Sequence, residues 1–144
     1  MKRLLVFCFF LVSSISVACV CVEMGTKENE IEKTDVLLTA KILAIESFSE
    51  SDKKITGLIS RHTKCKVKVI AIHKGKVASK IMTVATSNGD CGFRFESGKT
   101  YIIYAYRHKD KIKDKYIYTS NCTRTSKFSL HEFKKIIKYC KSKG

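Results

Sequence analysis

The chain contains no proline among its 144 residues, and proline is one of the residues that commonly mark a linker between domains. It also lacks internal repeats and low-complexity tracts. After residue 18, no apolar stretch approaches the ~20 residues that a membrane-spanning helix needs. These absences favour one domain without a linker, and they predict that the chain after residue 18 has no membrane span.

Catalytic motifs are missing as well. The four histidines are scattered, and no two of them have the i, i+4 spacing of a zinc-protease helix. No serine lies in a Gly-x-Ser-x-Gly turn. Residues 92–100 differ from a phosphate-binding loop because five residues separate the two glycines where that motif has four. We therefore expect a protein that is not an enzyme and that uses no cofactor.

Acidic residues are few: 13 Asp and Glu oppose 28 Lys and Arg, which gives a formal net charge of +15. Such a surface attracts polyanions, for example a sulfated glycan, or an acidic protein. The same charge is also expected of a solvated, lysine-rich surface that has no partner. Lysine far outnumbers arginine, whereas sites that recognise phosphate often use arginine, so we expect no nucleic acid partner.

The first 18 residues have the three parts of a secretory signal. Lys2 and Arg3 form a basic start, residues 4–12 are apolar, and residues 16–18 are small at the two positions that the peptidase reads. Cleavage after residue 18 would leave a mature chain of residues 19–144 that begins at Cys19 with a free α-amino group. We therefore expect a secreted or extracytoplasmic protein. In the alternative, lipoprotein processing would lipidate Cys19, acylate its amine and attach the protein to a membrane.

Removal of the signal also removes Cys8 and leaves six cysteines: Cys19, Cys21, Cys65, Cys91, Cys122 and Cys140. An even number of cysteines in an exported chain indicates a disulfide framework, here of three bridges. The spacings match no pair of Cys-x₂-Cys zinc knuckles, which disfavours metal-bound thiols. The residues alone leave the pairing open.

Five segments have the composition or the alternation of β-strands: residues 35–47, 64–68, 81–86, 100–106 and 116–119. In the second segment Cys65 and Val67 share one face, while the lysines share the other. Residues 70–72 lose this alternation, which indicates either a bulge or burial on both faces. With short connections, five such strands predict an all-β fold, a small closed or partly open barrel.

A helix is predicted over residues 130–139. Ser129 and Glu132 have the spacing of a capping box, and Phe128 and Phe133 that of a hydrophobic staple. The side chains expected on the face that packs on the barrel are Leu130, Phe133, Ile137 and Cys140. A shorter helix is predicted over residues 27–33.

The order of cysteines and strands resembles that of a known family. Cys19-Val20-Cys21 begins the mature chain, Cys91 precedes Gly92 before the fourth strand, and Cys122 follows the fifth. The chain is similar in this order, and in residues 98–103 (GKTYII), to netrin-like domains and in particular to the N-terminal domain of the tissue inhibitors of metalloproteinases. The resemblance implies a five-stranded OB-like barrel with a C-terminal helix.

The resemblance also implies bridges Cys19–Cys91 and Cys21–Cys122. The two cysteines left over would form a third bridge, Cys65–Cys140, which departs from the inhibitors because their third bridge begins shortly after the Cys-x-Cys. A bond between strand and helix is plausible because Cys65 faces the core side of its predicted strand.

In the inhibitors, the terminal amine and the first carbonyl bind the catalytic zinc of a protease, and the next residue enters its specificity pocket. The resemblance therefore implies that Cys19 ligates a partner's zinc and that Val20 enters the pocket. The protease-binding wedge would consist of Cys19, Val20, Cys21, Val22, Asp90 and Cys91. Many netrin-like domains bind other proteins or sulfated glycans, so an exported or lipid-anchored adaptor with a lysine-rich binding face is the alternative.

Intact-mass and N-terminal analysis of the exported protein tests the predicted processing. We expect a chain that begins at Cys19 with an unmodified α-amino group, because the small residues before Cys19 fit the signal peptidase. A mass increase at Cys19 that corresponds to acyl chains, or a start at another residue, would contradict this prediction.

Overall fold

The computed structural model describes residues 19–21, 23–51, 59–107 and 116–143. These residues form two helices and six strands, which we number in chain order. The helices are α1 (Lys27–Lys33) and α2 (Leu130–Lys143). The strands are β1 (Val36–Ser51), β2 (Ile59–Lys74), β3 (Ile81–Ser87), β4 (Thr100–Arg107), β5 (Ile117–Thr119) and β6 (Ser126–Lys127). The predicted signal, residues 1–18, lies outside the described residues.

Five strands close into a barrel in the order β1-β2-β3-β5-β4, and β1 pairs with β4 to complete the circle. The β3–β5 pair is parallel and the other pairs are antiparallel. Strand β6 adds two residues beside β4. Closure satisfies the edges that an open sheet would leave unpaired. The predicted five-stranded OB-like barrel with a C-terminal helix is confirmed.

Strand β2 shows how an alternating apolar and polar sequence forms part of the barrel wall. Cys65 and Val67 are fully buried inside the barrel, while Lys66 and Lys68 are exposed. The pairing with β1 then skips Ile70, because Thr39 pairs with Ala71 and Ala40 pairs with Val69. Ile70 is 59% exposed. The lost alternation therefore reflects a bulge, and burial on both faces is excluded here.

The first two strands are longer than predicted. Their pairing continues past Ser47 and Thr63 as far as Ser51 and Ile59, so that a two-stranded ribbon extends beyond the barrel. These additional residues are not predicted as strand because their sequence, FSES in residues 48–51, lacks the alternating apolar pattern by which strands are recognised.

The core has two layers on opposite sides of the barrel wall. Inside the barrel lie alternate side chains of β1, β2 and β4, with contributions from β3 and β5: Val36, Leu38, Ala40, Ile42, Cys65, Val67, Val84, Tyr101, Ile103, Ala105 and Ile117. The second layer lies between the wall and the two helices and consists of Ile31, Leu37, Ile102, Tyr104 and Ile136. Both faces of β4 are therefore covered, which explains its continuous apolar sequence.

Helix α2 packs on the barrel through a face that matches the predicted one at Phe133 and Cys140 but not at Leu130. Ile136 is fully buried and Leu130 is 56% exposed, so the buried face is centred on Ile136 and includes Phe133 and Cys140. The predicted staple forms, with the rings of Phe128 and Phe133 5.5 Å apart. Neither described helix is long and apolar enough to span a bilayer.

The predicted Cys65–Cys140 bridge is wrong. Both residues are free thiols, and they lie in different layers of the core. Cys65 points into the barrel, whereas Cys140 packs against the layer beneath the helices, so the wall of the barrel separates the two sulfurs. Burial raises the pKa of Cys65 to about 11 and also raises that of Cys140, which keeps both groups protonated at neutral pH.

The substitution Ile136→Ala tests the layer beneath the helices. Removing this fully buried side chain should lower the free energy of unfolding by about 2–5 kcal/mol, because the closed packing cannot fill the cavity. Urea unfolding of the oxidised protein provides the measurement. The matched control, Ile70→Ala, removes an exposed isoleucine and should change stability by at most about 0.5 kcal/mol. Equal effects of the two substitutions would contradict the proposed packing.

Candidate functional site

The parallel pairing of β3 with β5 brings two loops together at one rim of the barrel. Parallel strands end at the same side of a sheet, and here Thr86 is level with Thr119. Cys91 follows the end of β3, and Cys122 follows the end of β5. The two cysteines that bind the N-terminal segment are therefore neighbours at this rim.

Two disulfides join the N-terminal segment to these loops. Cys19 is bonded to Cys91 and Cys21 to Cys122, with a Cα–Cα distance of 5.2 Å in each bridge. Both pairings that the resemblance implies are confirmed. The bridged residues are 72 and 101 positions apart in sequence. In the chain-entropy account, loops of this length contribute about 4–5 kcal/mol each.

The residue between the bridged cysteines is presented to solvent. Val20 is 91% exposed, whereas Cys19 and Cys21 are half-buried against the rim. Asp90 and Cys91 are exposed beside them. The structure thus brings together five of the six predicted wedge residues, and the sixth, Val22, lies outside the described residues.

Gly92 determines the path of the loop that carries Cys91. A Cβ atom at this position would lie 1.7 Å from the carbonyl oxygen of Ser87, a distance at which the two atoms would overlap. The Gly92 N–H donates to the carbonyl of Gly89 at 3.1 Å, which closes a tight turn. Next to it, the Phe93 N–H donates to the hydroxyl of Thr86 at 2.8 Å. This position therefore requires glycine because of contact with the backbone.

Asn121 joins the loops that carry Cys91 and Cys122 through hydrogen bonds that do not depend on the disulfides. Its side-chain amide donates to the carbonyl of Asp90 at 2.7 Å, and its backbone N–H donates to the carbonyl of Cys91 at 3.0 Å. This contact is not predictable from the sequence, because an asparagine in a turn usually bonds to its own backbone. Its partner here is 31 residues away.

Three buried threonine hydroxyls fix the base of the Cys122 loop. The hydroxyl oxygens of Thr119, Thr123 and Thr125 lie 2.7–2.9 Å from one another and share a hydrogen-bond network. The Thr119 hydroxyl donates to the carbonyl of Tyr104 at 2.9 Å, and the Tyr104 N–H donates to the Thr125 hydroxyl at 3.0 Å. The hydroxyls thereby satisfy backbone groups of β4 at a point where β5 has ended. In the sequence, the signal of this network is the spacing of three threonines within seven residues.

A further contact holds the chain that follows the Cys-x-Cys. The guanidinium of Arg124 donates to the carbonyl of Gly25 at 3.2 Å. The N–H of Gly25 donates in turn to a carboxylate oxygen of Glu30, in α1, at 3.3 Å. The N-terminal segment is thus fastened on both sides of the stretch that lies outside the described residues.

The sulfurs at this rim form one cluster. Those of Cys19, Cys21 and Cys122 all lie within 4.8 Å of one another. In this oxidised form each of them belongs to a disulfide and carries no thiolate, so the sulfurs cannot ligate a metal. Any ligation by Cys19 in the oxidised protein would use its backbone nitrogen and oxygen.

The exposed side of the sheet is basic. Lys41 of β1 lies directly opposite Lys68 of β2, and Lys66 is exposed on the same strand. Like charges that face each other across a pair of strands repel, so these side chains gain from a bound anion.

No family model matches the chain, and no curated protein matches it either.

The substitution Gly92→Ala tests the loop that carries Cys91. The added Cβ must displace the Ser87 carbonyl, so we expect the free energy of unfolding to fall by about 1–3 kcal/mol and formation of the Cys19–Cys91 bridge during refolding to slow. Urea unfolding and quenched refolding with mass mapping are the measurements. Gly25→Ala is the matched control, because its nearest contacts, at 3.4 Å, leave room for a methyl group. Wild-type behaviour of Gly92→Ala would contradict the steric argument.

Proposed function

We propose that this protein is a secreted, netrin-like binding domain that inhibits zinc metalloproteinases through its mature N-terminus. The observation that supports this proposal most directly is the clamped segment Cys19-Val20-Cys21, whose middle residue is 91% exposed while both neighbours are bridged to the barrel. The Cys19–Cys91 bridge also occupies the sulfur that lipidation would require, which favours plain secretion over a lipid anchor.

The chemistry of inhibition follows from two backbone groups of a processed Cys19 that can ligate a metal, the α-amino nitrogen and the carbonyl oxygen. A free α-amino group has a pKa of about 7.7–8.0, so a usable fraction is neutral and able to bind a metal at physiological pH. Catalytic zinc keeps an open position and accepts nitrogen and oxygen at about 2.0–2.2 Å. The amine and carbonyl of Cys19 would together displace the water that otherwise attacks the substrate.

The two disulfides make this binding favourable because they already order residues 19–21 in the free protein. Fixing a flexible backbone costs about 1–2 kcal/mol per residue, so three preordered residues save ~3–6 kcal/mol of binding free energy. Each 1.4 kcal/mol corresponds to about a tenfold change in affinity. The two bridges, the Asn121 bonds and the Arg124 contact supply this order.

The side chain of Val20 would enter the specificity pocket beside the metal. It is a small apolar group that is almost wholly solvated in the free protein, so its burial in a partner recovers hydrophobic free energy. Asp90 and Cys91 would contact the protease alongside it, and Val22 would continue the segment along the cleft.

One alanine added before Cys19 tests the metal-binding role. The extension moves the free amine away from the Cys19 carbonyl, so the pair can no longer chelate one ion, and inhibition should fall at least about a hundredfold. Titration of the mature and the extended proteins against a panel of zinc proteases provides the measurement. Inhibition that survives the extension would contradict the proposal.

The mature and the alanine-extended proteins also test a second candidate function. In it, the exposed lysines Lys41, Lys66 and Lys68 bind a sulfated glycan. Retention on a heparin column should be equal for both proteins. Lys66 and Lys68 pair with the first half of β3, whereas the rim that holds Cys19 follows the other end of that strand. Disulfide mapping of the extended protein provides the control for folding. Elution from heparin near physiological salt would contradict glycan binding and leave the inhibitor proposal unaffected.

A further inference from the structure

Four cysteine sulfurs are gathered at one place on the rim. Those of Cys19, Cys21 and Cys122 lie within 4.8 Å of one another, and the sulfur of Cys91 is bonded to that of Cys19. In a tetrahedral zinc tetrathiolate the metal–sulfur distance is about 2.3 Å, which places the sulfurs about 3.8 Å apart. The three clustered sulfurs are therefore close to the spacing of such a site before any metal is bound, and the fourth, that of Cys91, is one S–S bond away from Cys19.

The two loops that carry Cys91 and Cys122 stay together when the bridges open. Asn121 bonds to the carbonyls of Asp90 and Cys91 through groups that contain no sulfur. The buried hydroxyls of Thr119, Thr123 and Thr125 hold the base of the Cys122 loop against β4. Reduction consequently leaves two of the four sulfurs preorganised.

The other two sulfurs remain within reach. The Arg124–Gly25 bond holds the chain only four residues beyond Cys21, so the reduced N-terminal segment stays near the rim. The two remaining cysteines of the described chain cannot compete for a metal there, because Cys65 lies inside the barrel and Cys140 lies in the layer beneath the helices.

We propose that the reduced protein binds one zinc ion in a tetrahedral site made by the thiolates of Cys19, Cys21, Cys91 and Cys122. Each bridge takes two electrons and two protons from a dithiol, which is itself oxidised to a disulfide. Zinc then displaces the protons of the four thiols and forms four zinc–sulfur bonds. The inference does not depend on the proposed inhibition, which concerns the oxidised protein and a partner's metal.

The site gives the rim two alternative crosslinks. In an oxidising compartment the two disulfides hold the N-terminal segment, whereas in a reducing one a single zinc ion holds the same four residues. Because a structural zinc site contributes its binding free energy to folding, the reduced chain gains order that the lost bridges no longer supply. In this form Cys19 is committed to the protein's own metal.

Cobalt binding and cysteine mapping test the inference on the exported protein. We would open the bridges with a phosphine, which becomes phosphine oxide, and titrate Co²⁺ anaerobically. We expect one equivalent to bind with the visible absorption of a tetrahedral tetrathiolate and to be displaced by Zn²⁺. In parallel, zinc should slow alkylation of Cys19, Cys21, Cys91 and Cys122 by about tenfold or more, and leave that of Cys140 unchanged.

Variants provide the matched comparison. Cys140→Ser should retain one equivalent of tightly bound cobalt, while Cys122→Ser leaves three thiolates and should bind it at least about tenfold more weakly. Should Cys122→Ser fail to fold, the alkylation map of the unmutated protein decides alone. Absence of the tetrathiolate spectrum, protection of fewer than four of these cysteines, or protection of Cys140 would each overturn the inference. Protease assays of the oxidised protein are unaffected by any of these results.

Discussion

The parallel pairing of β3 with β5 is the constraint on which the rim depends. In a barrel built otherwise from antiparallel pairs, this one contact places the ends of two strands side by side. It makes neighbours of Cys91 and Cys122, which are far apart in sequence, and it allows Asn121 to bond across the gap. The Cys-x-Cys segment has no regular secondary structure and takes its position from these loops.

The rim combines order with exposure. Two bridges and a set of side-chain hydrogen bonds hold a segment whose central residue, Val20, contributes nothing to the core. The proposed binding role rests on this combination of a rigid segment and an exposed apolar residue. The gathering of four sulfurs is a consequence of the same geometry, and it makes the rim a place where metal can replace disulfide.

Much of the fold could be predicted because its signals are local. The alternation in β2 and the aromatic and β-branched residues of β4 report burial through neighbouring residues, and the structure confirms both. On α2 the packing of Phe133 and Cys140 was predicted correctly and that of Leu130 was wrong, because only contact with the barrel decides that Ile136 is covered and Leu130 is not. The prediction of the third bridge was wrong for a related reason. Cys65 does face a core, but that core is the one inside the barrel, whereas Cys140 packs in the second core between the barrel and the helices.

By itself the sequence determined where most strands and the terminal helix lie, because propensity and periodicity act over a few residues. It left the pairing of the cysteines open, and the two bridges were implied only by the resemblance of the cysteine order to that of a known family. Only the tertiary structure decided that Asn121 and three threonines support the rim, that Gly92 must lack a side chain, and that two thiols stay free. These features depend on atoms brought together from distant parts of the chain by barrel closure, and no local pattern records which distant atom a side chain will meet.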